Sequence, residues 1–371
     1  MSLSSKLAPT PQKRLLALDG GGIRGVISLQ ILAKLEDQLR QSHASGDPNF
    51  RLCDYFDYIG GTSTGAIISA TLSLGLSVAE ISHFYHTSAV EMFSKAGYLK
   101  RFRYKYEDDK LAAQLKSVFG ADTTLGSDKL RTLLMMVLRN ATTDSPWPVC
   151  NNPRARFNDC SLPDCNLNIP LWQLIRASTA APVYFPPEMV RMGAHQFLFV
   201  DGGVTTYNNP AFQLFLMATV DAYKLNWPAG KDKLLLVSVG TGTAPSANES
   251  LQAKKMNMLY NAEFLPSALM FAALNEQDFL CRVFGDCLAG PPLDSEVGDM
   301  KNQPAPGGTK LFTYLRYNAE LSDRGLQSLG LSGINPDDVR QLDSIEHIPE
   351  LQRIGQAVAD SQVNPSHFAG F

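Results

Sequence analysis

The chain has 371 residues, of which 44% are hydrophobic and 19% are charged. This composition is typical of a globular protein and excludes disordered and fibrous classes. The 33 Lys and Arg residues against 36 Asp and Glu residues give a formal net charge of -3, which leaves no general basic field to bind a nucleic-acid polymer. The longest apolar runs, such as residues 133–138, are far shorter than the roughly 18 residues of a membrane span. We therefore expect a soluble protein, or one that associates peripherally with a membrane.

Residues 1–11 are rich in Ser and Pro and precede only a short apolar stretch, so we expect a cytoplasmic protein without an export signal. In a chain of this size in that compartment, the six cysteines are expected to be reduced thiols. Cys150, Cys160 and Cys165 lie close together, but their irregular spacing and the lack of a matching histidine pair make a structural zinc site the less favoured alternative. The sequence predicts no metal and no organic cofactor.

Two strand and helix pairs are predicted at the start of the chain. The apolar run Arg14–Leu18 predicts a buried strand that ends at a glycine-rich turn, and apolar positions then recur at helical spacing over Ile23–Gln41. A second strand is predicted over Tyr55–Gly60 and a second helix over Ala66–Leu74. Strands that alternate with helices at this spacing are typical of a parallel sheet with right-handed crossovers.

The remaining pattern favours a single domain with a three-layer α/β/α fold and a mainly parallel central sheet. Residues 14–245 would form its core, and residues 246–371 would pack on it as an extension of helices and strands. Prolines and asparagines predict irregular excursions at Asp144–Pro170 and Pro291–Gly308. The other predicted elements are strands at Thr132–Arg139, Phe197–Val200, Leu234–Val239 and Lys310–Arg316, a helix at Phe212–Met217 and a helical tail at Pro336–Val363.

The pentapeptide Gly61–Gly65 has the pattern G-x-S-x-G between a predicted strand and a predicted helix. In that context the pattern predicts a sharp turn that holds the serine in a strained backbone with its hydroxyl exposed. Glycines are needed on both sides because side chains there would clash with the strand and the helix. Ser63 is therefore the candidate nucleophile, and a tight turn with a satisfied serine is the structural alternative.

A second glycine-rich turn, Gly20–Gly25, matches the G-x-G-x-x-G pattern of dinucleotide-binding proteins. That function needs an acidic residue at the end of the second strand, where this sequence has the serine turn instead, so it is disfavoured. The same backbone amides can receive an oxyanion beside the nucleophile. We assign Gly20, Gly21 and Gly22 to such an oxyanion hole, with Arg24 adding positive charge; a surface role for the arginine is the alternative.

The candidate base is an aspartate, because none of the six histidines lies in an obvious motif. Asp201 leaves a short apolar strand directly into a glycine pair, within Phe199–Gly203. Contact with the hydroxyl and exclusion of solvent would compensate for the low basicity of a free carboxylate. A turn-capping carboxylate is the structural alternative. A Ser-His-acid triad of the α/β-hydrolase type, with His347 or His367, is the fold-level alternative.

Together these motifs resemble the patatin-like acyl hydrolases. The resemblance comprises the oxyanion motif Asp19–Gly25, the serine turn Gly61–Gly65 and the Asp-Gly-Gly at Asp201–Gly203. The stretches Ala177–Pro187 and Ser238–Gly242 also resemble segments of that family. The family pattern assigns supporting roles in these motifs to Asp19, Gly25, Gly61, Gly65 and Gly202.

The resemblance implies a Ser63–Asp201 dyad without a catalytic histidine, an acyl-enzyme, and a phospholipid or lysophospholipid substrate. It leaves three alternatives open: an acyltransferase, a phospholipase effector of antiphage defence that a cyclic nucleotide activates, and a lipid-binding module without activity. The cationic and aromatic segment Phe93–Tyr106 suggests contact with anionic lipid headgroups, although a solvated loop with inward-packed rings is the simpler alternative.

Overall fold

The computed structural model describes residues 3–92, 108–243 and 258–371. The segment Phe93–Tyr106, proposed from the sequence to contact lipid headgroups, lies outside these residues. Within the described ranges, no helix combines the length and the apolar character needed to cross a membrane.

In the residues that the structure describes, a nine-stranded sheet forms the centre of the fold. Its strands lie in the order β5-β6-β3-β2-β1-β7-β9-β8, and β4 pairs with β3 beside this path. The strands are β1 (Lys13–Leu18), β2 (Tyr58–Thr62), β3 (Leu133–Asn140), β4 (Ser145–Cys150), β5 (Glu188–Met192), β6 (His195–Asp201), β7 (Leu234–Val239), β8 (Gly285–Ala289) and β9 (Phe312–Tyr317).

Helices cover both faces of this sheet. Along β1, Leu16 and Leu18 enter one apolar cluster while Leu15 and Ala17 enter another, because successive strand residues point to opposite faces. The helices are α1 (Leu3–Leu7), α2 (Gly25–His43), α3 (Leu52–Tyr55), α4 (Thr64–Ser73), α5 (Val78–Met92), α6 (Asp108–Phe119), α7 (Leu171–Ser178), α8 (Ala211–Thr219), α9 (Met258–Phe284), α10 (Asp323–Ser328), α11 (Pro336–Arg340) and α12 (Ile348–Gln362).

The predicted α/β/α fold class with a mainly parallel sheet is confirmed. Among the described strands, five pairs are parallel, and only the pairs that involve β4, β5 and β6 are antiparallel. The strand predicted at Leu234–Val239 matches β7 residue for residue. The strand predicted at Tyr55–Gly60 begins later, at Tyr58, because residues 52–55 form the short helix α3.

One feature of the sheet brings two distant chain segments together at β3. The strand β4 occupies one edge of β3 from Met135 to Asn140, so β2 and β6 share the other edge. β2 runs parallel to β3 and ends with Thr62 opposite Val137, whereas β6 runs antiparallel and ends with Asp201 opposite Leu138. The carboxyl ends of β2 and β6 therefore meet head to head.

The prediction of an irregular excursion over Asp144–Pro170 is wrong for its first part, because residues 145–150 form β4. Two prolines in this strand argued against it, but β4 pairs only with β3 in the described residues, and a strand at a sheet edge tolerates proline. The expectation of six reduced thiols is wrong for Cys160 and Cys165, which form a disulfide with their Cα atoms 5.0 Å apart. The other four cysteines are free and buried.

The residues after 245 extend the same sheet. β8 and β9 continue it beyond β7, and α12 packs against α2. The helical tail predicted over Pro336–Val363 is divided into α11 and α12, with irregular backbone and one turn of 3-10 helix between them.

Candidate active site

Ser63 occupies the turn between the end of β2 and the start of α4. Its backbone has φ 55° and ψ -121°, a strained conformation for a residue with a side chain. A Cβ atom at Gly65 would overlap the carbonyl oxygen of Leu18, so only glycine lets α4 approach β1 this closely. The backbone at Ser63 thus has the sharp geometry that the sequence motif predicts.

A hydroxyl from another segment supports this turn. Ser178, the last residue of α7, accepts the N–H of Ser63 at 2.9 Å and donates its own proton to the Val137 carbonyl at 2.7 Å. Its side chain is fully buried. This pair of hydrogen bonds ties the strained turn to β3, the strand at which β2 and β6 meet.

Asp201 faces the serine from the end of β6. Ser63 Oγ donates to Asp201 Oδ2 at 2.7 Å, and the Gly203 N–H donates to Oδ1 at 2.6 Å. The Asp201 N–H donates to the Ala180 carbonyl at 3.0 Å, so the backbone of this residue is held in place as well. Each oxygen of the carboxyl group therefore has a donor, and one of these donors is the candidate nucleophile.

The environment of Asp201 makes its carboxylate more basic than a free aspartate. The residue is 4% exposed, and burial raises its pKa from 3.8 to about 6, even though the hydrogen bonds from Gly203 and Ser63 and the charge of Arg176 act in the opposite direction. A carboxylate with a pKa near neutrality, in contact with a hydroxyl, is suited to act as a general base.

The glycine-rich turn after β1 lies beside the dyad, but its amides are not equivalent. The Gly20 N–H donates to the Asn208 carbonyl at 3.0 Å and is already engaged. For Gly21 and Gly22, no acceptor for the N–H group is found among the described residues. The assignment of Gly20 as a donor therefore does not fit the geometry. Gly20 instead provides space, since a Cβ atom there would overlap Asn208 Oδ1 and would lie 3.3 Å from Ser63 Cβ.

Two segments outside the turn constrain its conformation. A Cβ atom at Gly21 would overlap the hydroxyl of Thr241, which itself donates to the Gly20 carbonyl at 2.8 Å. Gly22 has a φ of 58° and lies against the Leu342 carbonyl oxygen, which accepts the Ile23 N–H at 2.9 Å. The extension after residue 245 thus contributes to the shape of the candidate oxyanion site.

Asp19 has a structural partner that the sequence did not reveal. The Arg316 guanidinium donates to both oxygens of Asp19, at 2.9 and 2.6 Å, and both side chains are 1% exposed. Burial lowers the pKa of Arg316, but the ion pair with Asp19 outweighs this and the net shift is upward. Arg316 also donates to the Ser238 hydroxyl on β7, so its hydrogen bonds join the ends of β1, β7 and β9.

Arg24 remains a cation available to the site. Burial lowers its pKa to about 10, with Asp19 and Tyr184 acting in the opposite direction, so it stays protonated at neutral pH. It forms no ion pair with any described residue, and its Nε donates a long hydrogen bond to the Gly21 carbonyl at 3.5 Å. The guanidinium can therefore attract an anion beside the amides of Gly21 and Gly22.

The histidines of the alternative triad have other partners. His367 Nδ1 forms a hydrogen bond with the Tyr317 hydroxyl at 2.8 Å. His347 Nδ1 lies 3.7 Å from Oε2 of Glu350, a residue of α12. In the described part of the chain, Asp201 is the hydrogen-bond partner of the Ser63 hydroxyl. The geometry thus favours a dyad over a Ser-His-acid triad.

A groove of about 550 Å³ opens beside the Asp201 turn. Its lining includes Gly203, Val204, Leu269, Met270 and Ala273, so α9 forms one of its walls. A Cβ atom at Gly203 would lie 3.0 Å from Asp201 Oδ1 and 3.5 Å from Met270 Cε, which shows how near the groove comes to the carboxylate. Its volume is within the range of ligand pockets, about 300–1,000 Å³.

An α/β/α fold with a serine on a strained turn, a buried aspartate in contact with it and a glycine-rich turn beside both defines the class of patatin-like proteins. The comparison with known families agrees: residues 16–215 match the patatin-like phospholipase family, and the chain belongs to it.

Two relatives give the extent of this similarity. Patatin-17 of Solanum cardiophyllum is 31% identical over 65% of this chain, and the intracellular phospholipase A2 of Caenorhabditis elegans is 32% identical over 62% of it. The aligned region spans 63% of Patatin-17 and 20% of the phospholipase A2.

Two solved structures are also similar. VipD from Legionella pneumophila matches 95% of this chain and 67% of its own chain, with 14% identity and a TM-score of 0.41. The type III effector protein ExoU matches 73% of this chain and 54% of its own, with 12% identity and a TM-score of 0.26. At these TM-scores the two structures add nothing to the family assignment.

Sequence reasoning found the dyad candidates and the glycine turns, but it missed their supports. Ser178 and Thr241 lie within the two further stretches that resemble the family, and this resemblance is the sequence signal for their importance. Arg316 and Leu342 lie outside any motif, and only the fold brings them to the Asp19–Gly22 turn.

Proposed function

We propose that this protein is a serine acyl hydrolase that cleaves acyl esters of glycerophospholipids or lysophospholipids through the Ser63–Asp201 dyad. The observation that carries the proposal is the 2.7 Å hydrogen bond from Ser63 Oγ to a buried carboxylate whose pKa is raised to about 6. Membership of the patatin-like phospholipase family supports the choice of a lipid ester as substrate.

In the acylation step, Ser63 Oγ attacks the ester carbonyl carbon while Asp201 Oδ2 takes the hydroxyl proton. The carbonyl oxygen gains negative charge, and the N–H groups of Gly21 and Gly22 would donate to it, with Arg24 nearby. Collapse of the tetrahedral intermediate breaks the ester bond. The leaving alcohol takes the proton from Asp201, and the acyl group stays on Ser63.

Deacylation repeats the same transfers with water. Asp201 would take a proton from water, the resulting hydroxide would attack the acyl-Ser63 carbonyl, and the proton would return to Ser63 Oγ as the fatty acid leaves. The one carboxylate handles every proton in both steps. Its other oxygen stays bonded to Gly203, which keeps it oriented throughout.

Two features favour a phospholipid over a small ester. Arg24 offers a positive charge that suits a phosphate group or the developing oxyanion. The groove beside Gly203 and α9 offers an apolar surface for part of an acyl chain. Because such substrates form aggregates in water, we expect the protein to act peripherally at a lipid surface.

The test is fatty-acid release from phosphatidylcholine and lysophosphatidylcholine, followed by mass spectrometry. We expect Ser63→Ala and Asp201→Asn to lose at least a thousandfold in rate, and the matched control Ser161→Ala, at an exposed serine, to retain activity. Substantial activity in Asp201→Asn would remove Asp201 from the role of base.

The same assay separates the remaining alternatives. In H₂¹⁸O, hydrolysis places the heavy oxygen in the released fatty acid, whereas an acyltransferase yields an acylated acceptor instead. A wild-type protein that binds lipid without turnover would be a lipid-binding module. Activation by a cyclic nucleotide stays a prediction, and addition of cyclic dinucleotides to the assay tests it.

A further inference from the structure

The turn at Ala181–Tyr184 departs from normal backbone preferences. The Tyr184 N–H donates to the Ala181 carbonyl at 3.1 Å, which closes a four-residue turn with Pro182 and Val183 at its centre. Val183 has a φ of 73°. A positive φ at the third position of a turn is normally supplied by Gly or Asn, and a β-branched residue is strained there.

Burial does not account for a valine at this position. The Val183 side chain is 72% exposed, the largest exposed fraction of any large hydrophobic residue in the described part of the chain. The turn thus holds an apolar, β-branched side chain in water at a conformational cost. Backbone strain of this kind clusters at active sites, ligand clamps and switch regions.

Both ends of the turn adjoin the candidate active site. Ala180, the residue before it, accepts the Asp201 N–H at 3.0 Å. Tyr184, its last residue, lies close enough to Arg24 to influence the pKa of that guanidinium. Val183 therefore projects into solvent from the rim of the site, between the segment that holds the base and the one that meets the cation.

Apolar surface is also exposed at the turn that follows Asp201 and on α9. Val204 is 37% exposed three residues after the base, and Leu269 on α9 is 63% exposed. These two side chains line the same groove beside Gly203. The turn at Ala181–Tyr184 and the groove beside Gly203 thus both present apolar side chains to solvent.

The geometry points to Val183 as an apolar contact with the lipid aggregate on which the enzyme acts, an inference that rests on the proposed function. Transfer of the valine side chain from water into the lipid surface is favourable, and the hydrogen-bonded turn presents it for this contact. The contact would bring the dyad to the surface that contains the substrate.

The test compares Val183→Asn with Val183→Ile and a matched control. Asn removes the apolar group but accepts a positive φ, so the turn is preserved, while Ile keeps the apolar, β-branched character. The control is Val220→Asn, since Val220 is 41% exposed at the end of α8 and has an ordinary φ of -78°. Binding is measured by sedimentation with phosphatidylcholine vesicles, in a Ser63→Ala background that prevents turnover.

We expect Val183→Asn to bind vesicles about tenfold more weakly, and the ratio of vesicle hydrolysis to hydrolysis of a water-soluble butyrate ester to fall by a similar factor. Val183→Ile and Val220→Asn should keep the vesicle affinity and the ratio of the two hydrolysis rates. Equal vesicle binding by Val183→Asn and the unsubstituted protein would overturn the inference. An equal fall in the rates of vesicle hydrolysis and butyrate-ester hydrolysis would also overturn it. If wild type cleaves neither ester the proposed function fails, and vesicle binding still decides the role of Val183.

Discussion

Replacing the candidate base with its neutral isostere should stabilise the fold while it removes activity. In Asp201→Asn, the side-chain oxygen can still accept the Gly203 N–H, and the new amide can donate to Ser63 Oγ. The substitution removes a charge from a site that is 4% exposed. The expected gain in the free energy of unfolding follows from the pKa of the carboxyl group.

The folded protein binds the Asp201 proton more tightly than the unfolded chain does, because burial raises the pKa from 3.8 to about 6. The stability contributed by this carboxyl group is therefore full below pH 3.8 and is lost as the pH rises through about 6. At about 1.4 kcal/mol per pKa unit, the full loss is about 3 kcal/mol. The free energy of unfolding of Asp201→Asn should exceed that of wild type by about 3 kcal/mol at pH 8, by about 1.5 kcal/mol at pH 5 and by about 0.5 kcal/mol at pH 4.

The assay is urea unfolding at several pH values, with the exposed Asp232→Asn as control. For a chain of 371 residues, 3 kcal/mol corresponds to roughly 4 °C in the midpoint of thermal unfolding. A gain in Asp201→Asn that is absent at pH 8, or that is the same at every pH, would refute the argument that a buried charge is maintained here for catalysis.

Three further predictions concern the rate and the supports of the site. With a water-soluble ester, kcat/KM should fall about tenfold per pH unit below pH 6, as Asp201 becomes protonated, and a profile that stays flat from pH 5 to 8 would contradict its role as base. Ser178→Ala should lower the free energy of unfolding by about 1–3 kcal/mol in urea titrations and also slow turnover, since the Ser63 N–H loses its acceptor; an unchanged rate would show that the turn does not need this support. Arg316→Met should lower the free energy of unfolding by about 3–5 kcal/mol, because Asp19 is left buried without its partner. The double variant with Asp19→Asn should recover part of this loss in the same urea titrations. Additive effects of these two substitutions would refute the coupling.

The local parts of this fold could be predicted because they are encoded in short stretches of sequence. The alternation of apolar strands with amphipathic helices indicated the layers, and the glycine pattern around Ser63 indicated a strained turn with a close helix. The strands β4, β5 and β8 were missed because they are short and carry Pro, charged residues or Gly, all of which are weak strand signals.

The contacts between segments could not be predicted in the same way. The head-to-head approach of β2 and β6 depends on which edge of β3 the strand β4 occupies, a matter of pairing that no single stretch encodes. The same holds for the buried pair of Asp19 and Arg316, which are 297 residues apart in the sequence. The chemistry of Gly20 also depends on a distant segment, because the Asn208 carbonyl occupies its N–H.

The most direct test of the central claim is covalent labelling with a fluorophosphonate, followed by intact-mass measurement and peptide mapping. The account predicts one adduct per chain, located on Ser63 and absent in Ser63→Ala, with slow labelling in Asp201→Asn and a normal rate in Ser161→Ala. An adduct on a different residue, or labelling of Asp201→Asn at the wild-type rate, would contradict a nucleophile activated by this carboxylate.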